Sequence, residues 1–295
     1  MKKSLMIPLF CLAGTICLSG CGTSSGGALS SEPATLGPPQ RAEFNEPLPE
    51  SASYRRIVRR FNKTVLASKT AETYDDHGNI VRSASSDVVT GDETPMRSYS
   101  YIYNEDGSPA EVLDYGYVST RTVYTYNENG DPLTVEVYDA DSGVLKNTSV
   151  YEYNDHGDLI HGTLINGLNG QESVISSSSY EYDENGFKTQ RQEFWNDGSV
   201  KYTETYTCDS SGNVLTAERI NESGEIPKQL FSYEYDENGN TVCQTQQDLA
   251  ADGTVTNESV LKSKYDQSGR IEKLENYLNG QINWYELYDY EELRS

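Results

Sequence analysis

From Thr73 onward the chain alternates. Tyr124 and Tyr126, Tyr151 and Tyr153, Tyr180 and Tyr182, and Tyr233 and Tyr235 stand two residues apart, with Thr125, Glu152, Glu181 and Glu234 between them. A period of two puts the rings on one face of a β-strand and the polar residues on the other. Each of these strands runs into the same stop. Eight segments, TYDDHGN, IYNEDGS, TYNENGD, EYNDHGD, EYDENGF, TCDSSGN, EYDENGN and KYDQSGR, carry Gly78, Gly107, Gly130, Gly157, Gly186, Gly212, Gly239 and Gly269 at intervals of 23 to 30 residues. Three places before each glycine stands Asp or Asn, and four places before it stands Tyr or, once, Cys208.

These positions have turn chemistry. Asp or Asn at the head of a type I turn accepts hydrogen bonds from the backbone further on, and the glycine takes the positive φ that closes a three-residue hairpin loop. A looser turn separates successive copies, as in DADSG at Asp139–Gly143, NDG at Asn196–Gly198, NESG at Asn221–Gly224, ADG at Ala251–Gly253 and NG at Asn279–Gly280. The chain is therefore expected to be all-β, a repeat array of antiparallel hairpins. Roughly sixteen strands in one meander are too many for a flat sheet, so a curled or spiralling sheet is expected.

The stretch KYDQSGRIEKLENY, Lys264–Tyr277, resembles the YD or Rhs repeats of bacterial surface and toxin-shell proteins, whose hallmark is Tyr-Asp-x-x-Gly with a Tyr-x-Tyr lead-in. The similarity runs over about Thr73–Tyr290, residues 73–290. It implies a spiralling antiparallel sheet, which in large members encloses a toxin. With eight copies, Arg only after Gly269, and no further domain after the last hairpin, no closed toxin cage is expected here.

The N-terminus has a different pattern. Lys2 and Lys3 precede an apolar run from about Leu5 to Leu18, which is the layout of an export signal over residues 1–20. Leu18-Ser19-Gly20-Cys21 resembles the bacterial lipobox, which makes Cys21 the lipidated first residue of a protein tethered to the bacterial cell membrane or surface rather than spanning the membrane. Gly22–Gln40 is rich in Gly, Ser and Pro, so residues 21–52 are expected to form a flexible stalk. Only 35% of the chain is hydrophobic, and its 23 tyrosines against six phenylalanines favour strands over a large dry core. Loss of the two signal lysines takes the net charge from −23 to −25, which disfavours nucleic acid as a partner.

The single basic cluster, Tyr54–Lys63, has apolar residues at 54, 57, 58 and 61, which would line one face of a helix. Residues 53–72 are expected to form a cap over the first sheet edge or a first strand, with contact to anionic lipid or wall polymer as the other reading. Cys208 and Cys243 lie three strands apart in a simple meander, too far for a disulfide, and are expected to be free thiols. The histidines His77, His156 and His161 match no catalytic or metal spacing. Calcium at the acidic turns lacks an EF-hand pattern, so no metal, no cofactor and no enzymatic activity are expected.

What stands out is the choice of tyrosine. Tyr101, Tyr103, Tyr124, Tyr126, Tyr151, Tyr153, Tyr180, Tyr182, Tyr206, Tyr233 and Tyr235 occupy positions where a dry core would take Val, Ile or Phe. Rings packed with their hydroxyls exposed in a groove would stack on sugars. The expected function is thus surface binding or adhesion, to a glycan or a surface protein. The alternative is a structural shell or scaffold that presents or covers a partner protein.

Overall fold

The computed structural model describes residues 48, 50–116, 118–221, 224 and 228–293. The expected signal, Cys21 and nearly all of the expected stalk lie outside them. Among the described residues there are eighteen strands and no helix. The first six are β1 (Ala52–Asn62), β2 (Val65–Asp75), β3 (Ile80–Ser86), β4 (Glu93–Tyr103), β5 (Pro109–Tyr115) and β6 (Thr120–Tyr126). Next come β7 (Pro132–Asp139), β8 (Leu145–Tyr153), β9 (Leu159–Asn166), β10 (Glu172–Tyr182), β11 (Lys188–Phe194) and β12 (Val200–Cys208). The last are β13 (Val214–Asn221), β14 (Lys228–Tyr235), β15 (Thr241–Leu249), β16 (Val255–Tyr265), β17 (Ile271–Leu278) and β18 (Gln281–Glu292).

Every strand pairs antiparallel with its neighbours in sequence, and β1 pairs with β18 as well as with β2. The sheet therefore closes into a barrel rather than remaining an open curled or spiralling meander. The eight repeats supply sixteen strands, β2 to β17, and the additional pair β1 and β18 makes the closure. Nine residue pairs join them, from Tyr54 opposite Glu292 to Asn62 opposite Trp284. Closure removes both free edges, which an open array would have to protect.

The basic segment is the closing strand, not a helix. Its alternation places Arg56 and Arg60 on one face and Arg55 and Arg59 on the other, and both faces meet acids. Arg56 lies 2.6 Å from Glu72 on β2, while Arg60 and Arg59 lie 3.4 and 2.7 Å from Glu286 and Asp289 on β18. Arg55 reaches Glu93 on β4 and Glu291 on β18. A positive strand between two acidic ones favours this pairing over any other edge.

The hairpin turns alternate between two rims. At one rim, all eight repeat glycines take φ between 79° and 88°. In seven of the eight, the leading Asp or Asn side chain accepts two backbone N–H groups, as Asp183 does from Asn185 and Phe187 at 2.9 Å. The strand register shifts at the residue four before each glycine, where the loop inserts its extra residue. At the other rim are the looser turns. The wall is a single layer with little dry core: Ala71, Val81, Ala84 and Leu113 are buried early in the ring, and Tyr206, Val214, Ala217 and Leu274 later.

Candidate functional site

Where two repeats meet, the ladder stops short of the repeat-turn rim, and a tyrosine takes over. Between β7 and β8 the last pair is Thr134 with Val150. Three residues on, the Tyr153 hydroxyl donates to the Pro132 carbonyl at 3.0 Å. The same link recurs from Tyr126 to Pro109 (2.7 Å), Tyr265 to Thr241 (3.1 Å) and Tyr290 to Ile271 (2.9 Å). In each case the acceptor is the second residue after a repeat glycine. Cys208, in place of tyrosine, points its thiol at the Lys188 carbonyl at 3.8 Å, and burial pushes that thiol's pKa up. A carbonyl orphaned at the end of a ladder needs such a donor. The tyrosine hydroxyls expected to be exposed are thus largely consumed by the wall.

Two seams use a variant. In the turns containing His77 and His156, the imidazole stacks on the tyrosine of the next repeat, with ring centroids 4.0 Å from Tyr103 and 3.8 Å from Tyr182. Tyr103 then donates to Asp75 and accepts from Asn79, and Tyr182 donates to Asp158 at 2.5 Å and accepts from Asn154. The carbonyl is left to the tyrosine two residues earlier: Tyr101 bonds Ile80 at 2.8 Å and Tyr180 bonds Leu159 at 3.2 Å. Histidine at the third loop position therefore selects which tyrosine pins the seam.

The remaining candidates divide. Tyr206 is buried and donates to Glu204 at 2.8 Å, a carboxylate that Arg219 also binds at 2.5 Å. Tyr124, Tyr151 and Tyr233 are half-buried, and none of them pins a carbonyl among the described residues. Tyr235 stands out from the wall, 46% exposed.

A second device escaped the sequence reading. In Glu72-Thr-Tyr74, Glu136-Val-Tyr138, Glu204-Thr-Tyr206, Glu275-Asn-Tyr277 and Glu286-Leu-Tyr288 the hydroxyl bonds the carboxylate two residues back, on the same strand face. The spacing Glu-x-Tyr was the signal. Arginines complete these groups, and Arg121 clamps the buried Glu111 with two bonds of 2.8 and 2.6 Å. Burial alone would raise the Glu193 carboxyl, but the Tyr202 hydroxyl, Arg191 and Lys201 together lower it.

Asp75, Asp76 and His77 lie close enough to share a cation. Asp75 is already saturated, however: one oxygen accepts the His77 and Asn79 backbone N–H groups and the other the Tyr103 hydroxyl. A cation there would compete with the Asp75 bonds that close the turn and hold Tyr103. Cys208 and Cys243 are free thiols on β12 and β15.

No protein-family model matches the chain, and no curated protein matches it in sequence. Among solved structures it is similar to TcdB2-TccC3, an Rhs/YD-repeat toxin component, in its complex with Cdc42: 11% identity over 75% of this chain, TM-score 0.34. The chain spans only 15% of that toxin chain's length. It is also similar to porin-like proteins from Bacteroides uniformis and Bacteroides vulgatus. The first is 13% identical over 83% of this chain and 99% of that one, with TM-score 0.39. The second is 10% identical over 80% and 97%, with TM-score 0.25.

Proposed function

We propose that this chain is an exported, lipid-tethered, non-catalytic barrel that binds at the bacterial cell surface. The observation that carries the reading is where the polar groups go. Among the described residues, most of the tyrosine hydroxyls considered above and the buried carboxylates of Glu111 and Glu204 are paired with other side chains or with the ladder's loose carbonyls. They build a wall.

Attachment through Cys21, rather than by the barrel itself, agrees with the composition of the wall. Arg55 and Arg59 point to one side of β1 and Arg56 and Arg60 to the other, and Glu286 and Asp289 divide β18 in the same way. A lipid-facing barrel needs an unbroken apolar band roughly 25 Å tall on its outer face. Among the described residues no helix is long and apolar enough to cross a membrane either.

For the ligand, the tyrosines that do not hold the seams matter most. Tyr124 and Tyr151, on neighbouring repeats, offer half-buried rings whose hydroxyls are uncommitted, a surface suited to stacking on a glycan. The test is a glycan array probed with full-length protein and with Tyr124→Ala/Tyr151→Ala. Saturable binding that the double variant loses, while its β-sheet circular dichroism stays native at the assay temperature, supports the reading. Binding equal in both, or substrate turnover by the wild type, overturns it. A second reading, a scaffold that presents a partner protein, is favoured by the exposed Val65, Val89 and Leu168 at the rim opposite the repeat turns.

A further inference from the structure

The two rims are made by the same chain and the same kind of hairpin, yet they differ in chemistry. At the repeat-turn rim the two middle residues of all eight turns are polar, from Asp76–His77 to Gln267–Ser268. At the opposite rim, apolar side chains occupy the turns or the first residue after them: Val65, Val89, Val118, Leu168, Trp195 and Val255, one for each of six hairpins. Val65 is 69% exposed, Leu168 78% and Val89 89%. Turn positions ordinarily take Gly, Asn, Asp or Ser, which cap the loop and meet water. A single exposed valine needs no explanation, but a ring of them confined to one rim does.

Two observations say what fits there. The first is position. β1 starts at the repeat-turn rim, where Ala52 pairs with Asp75, so the chain that leads back to Cys21 leaves from the other end of the barrel. The second is charge. Turns at this rim carry Asp87, Asp92, Asp141, Asp197 and Asp252 against Lys63, with Lys146 and Lys201 second in the strands that follow two of them. Backbone hydrogen bonds from Thr90 and Val89 hold the Asp87 carboxyl below the usual range, and the Ser199 and Thr254 hydroxyls do the same for Asp197 and Asp252. The rim thus stays negative, which opposes a second copy set rim to rim and an anionic lipid surface alike.

We infer that this rim is a docking surface for a partner protein, one whose contact face combines apolar side chains with Lys or Arg and covers the mouth of the barrel. The inference rests on the scaffold reading above and assigns the partner a place.

Photo-crosslinking residues are placed at Val89 and Leu168 in the full-length protein in its own cell, with Asn185 in a repeat turn as reference. One protein is expected to be trapped at the first two positions and not at the third, and mass spectrometry identifies it. That partner, purified, should bind full-length protein with Kd raised at least tenfold by Val89→Ser/Leu168→Ser, and more weakly as salt is added. The melting temperature should not move, since both side chains are exposed. Adducts made only of this chain or of lipid, none at all, or a Kd unchanged in the double variant overturn the docking surface. A partner trapped equally at Asn185 leaves surface binding standing and removes this rim from it.

Discussion

A tyrosine hydroxyl that pins an orphan carbonyl should be worth about 1 kcal/mol, because its loss leaves that carbonyl without a donor. Tyr153→Phe is therefore expected to lower stability by about that much in urea unfolding, and Tyr151→Phe, two residues away, by far less. In the repeat that follows His156 the weights reverse within the strand, and Tyr180 holds the carbonyl. Equal costs for Tyr151 and Tyr153 would contradict the seam. The same groups respond to alkali. Burial pushes Tyr126 up to about 12, and burial with the bond to Glu193 pushes Tyr202 up to about 12. An unfolded tyrosine ionises near 10. Because the folded pKa is raised, the stabilisation is complete below pH 10 and is lost as pH rises through 12. Tyrosinate absorbance should rise together with loss of the β-sheet circular dichroism in that window. Full ionisation near pH 10 with the fold intact would contradict it. At this scale the sequence announced the tyrosines and their spacing, but not their use. Period two assigns a ring to a face, and only the early end of the ladder tells which carbonyl lies within reach of its hydroxyl.

For an element, the repeat hairpin was legible almost entirely. Asp or Asn at its head and glycine at its end have one reading as a turn, and φ at Gly186 and Gly239 is 82° and 83°. Neither glycine has an atom within 4 Å of a β-carbon added to it, so Gly186→Val and Gly239→Val are expected to cost about 1–2 kcal/mol through backbone strain alone. Thermal melting checks this, and unchanged midpoints in both would refute it. Gly212 is a different case, since an added β-carbon would lie 2.8 Å from the Phe187 ring. What the repeat pattern hid is that the seams are unequal. Between β13 and β14 the pairs among the described residues run from Thr216–Leu230 to Glu218–Lys228, and there Tyr233 pins no carbonyl at the repeat-turn end, where Tyr265 and Tyr290 pin theirs. An open hollow of about 310 Å³ beside Leu215, Leu230 and Phe231 marks the same place. Amide hydrogens at the repeat-turn end of β13 and β14 should exchange faster than those of β15 and β16, where Tyr265 pins the Thr241 carbonyl. Uniform protection across all four strands would count against a weak seam.

For the whole molecule, eight repeats read as an array, and an array in isolation suggests a spiral with two edges. The chain closes instead because the strand before the repeats is basic and the strand after them is acidic. Tyr54–Lys63 was conspicuous for its arginines, yet its apolar residues also suited a helix. Period 3.6 and period two cannot be told apart over ten residues that carry charges on both faces. The arginines on one face have Glu72 and Glu286 as partners, and those on the other have Glu93 and Asp289. Nothing local in the segment names those partners, which lie up to 230 residues away in sequence. Closure is also what gives the barrel two distinct rims, with the start of β1 at one and the apolar ring at the other. It can be measured directly. Val58 and Tyr288 stand opposite each other across the β1–β18 ladder. With Val58→Cys and Tyr288→Cys introduced together, mild oxidation followed by peptide mapping should yield a bridge between positions 58 and 288 in most of the monomer. An open spiral would hold those strands at its two ends, and then oxidation would leave both thiols free or link separate molecules.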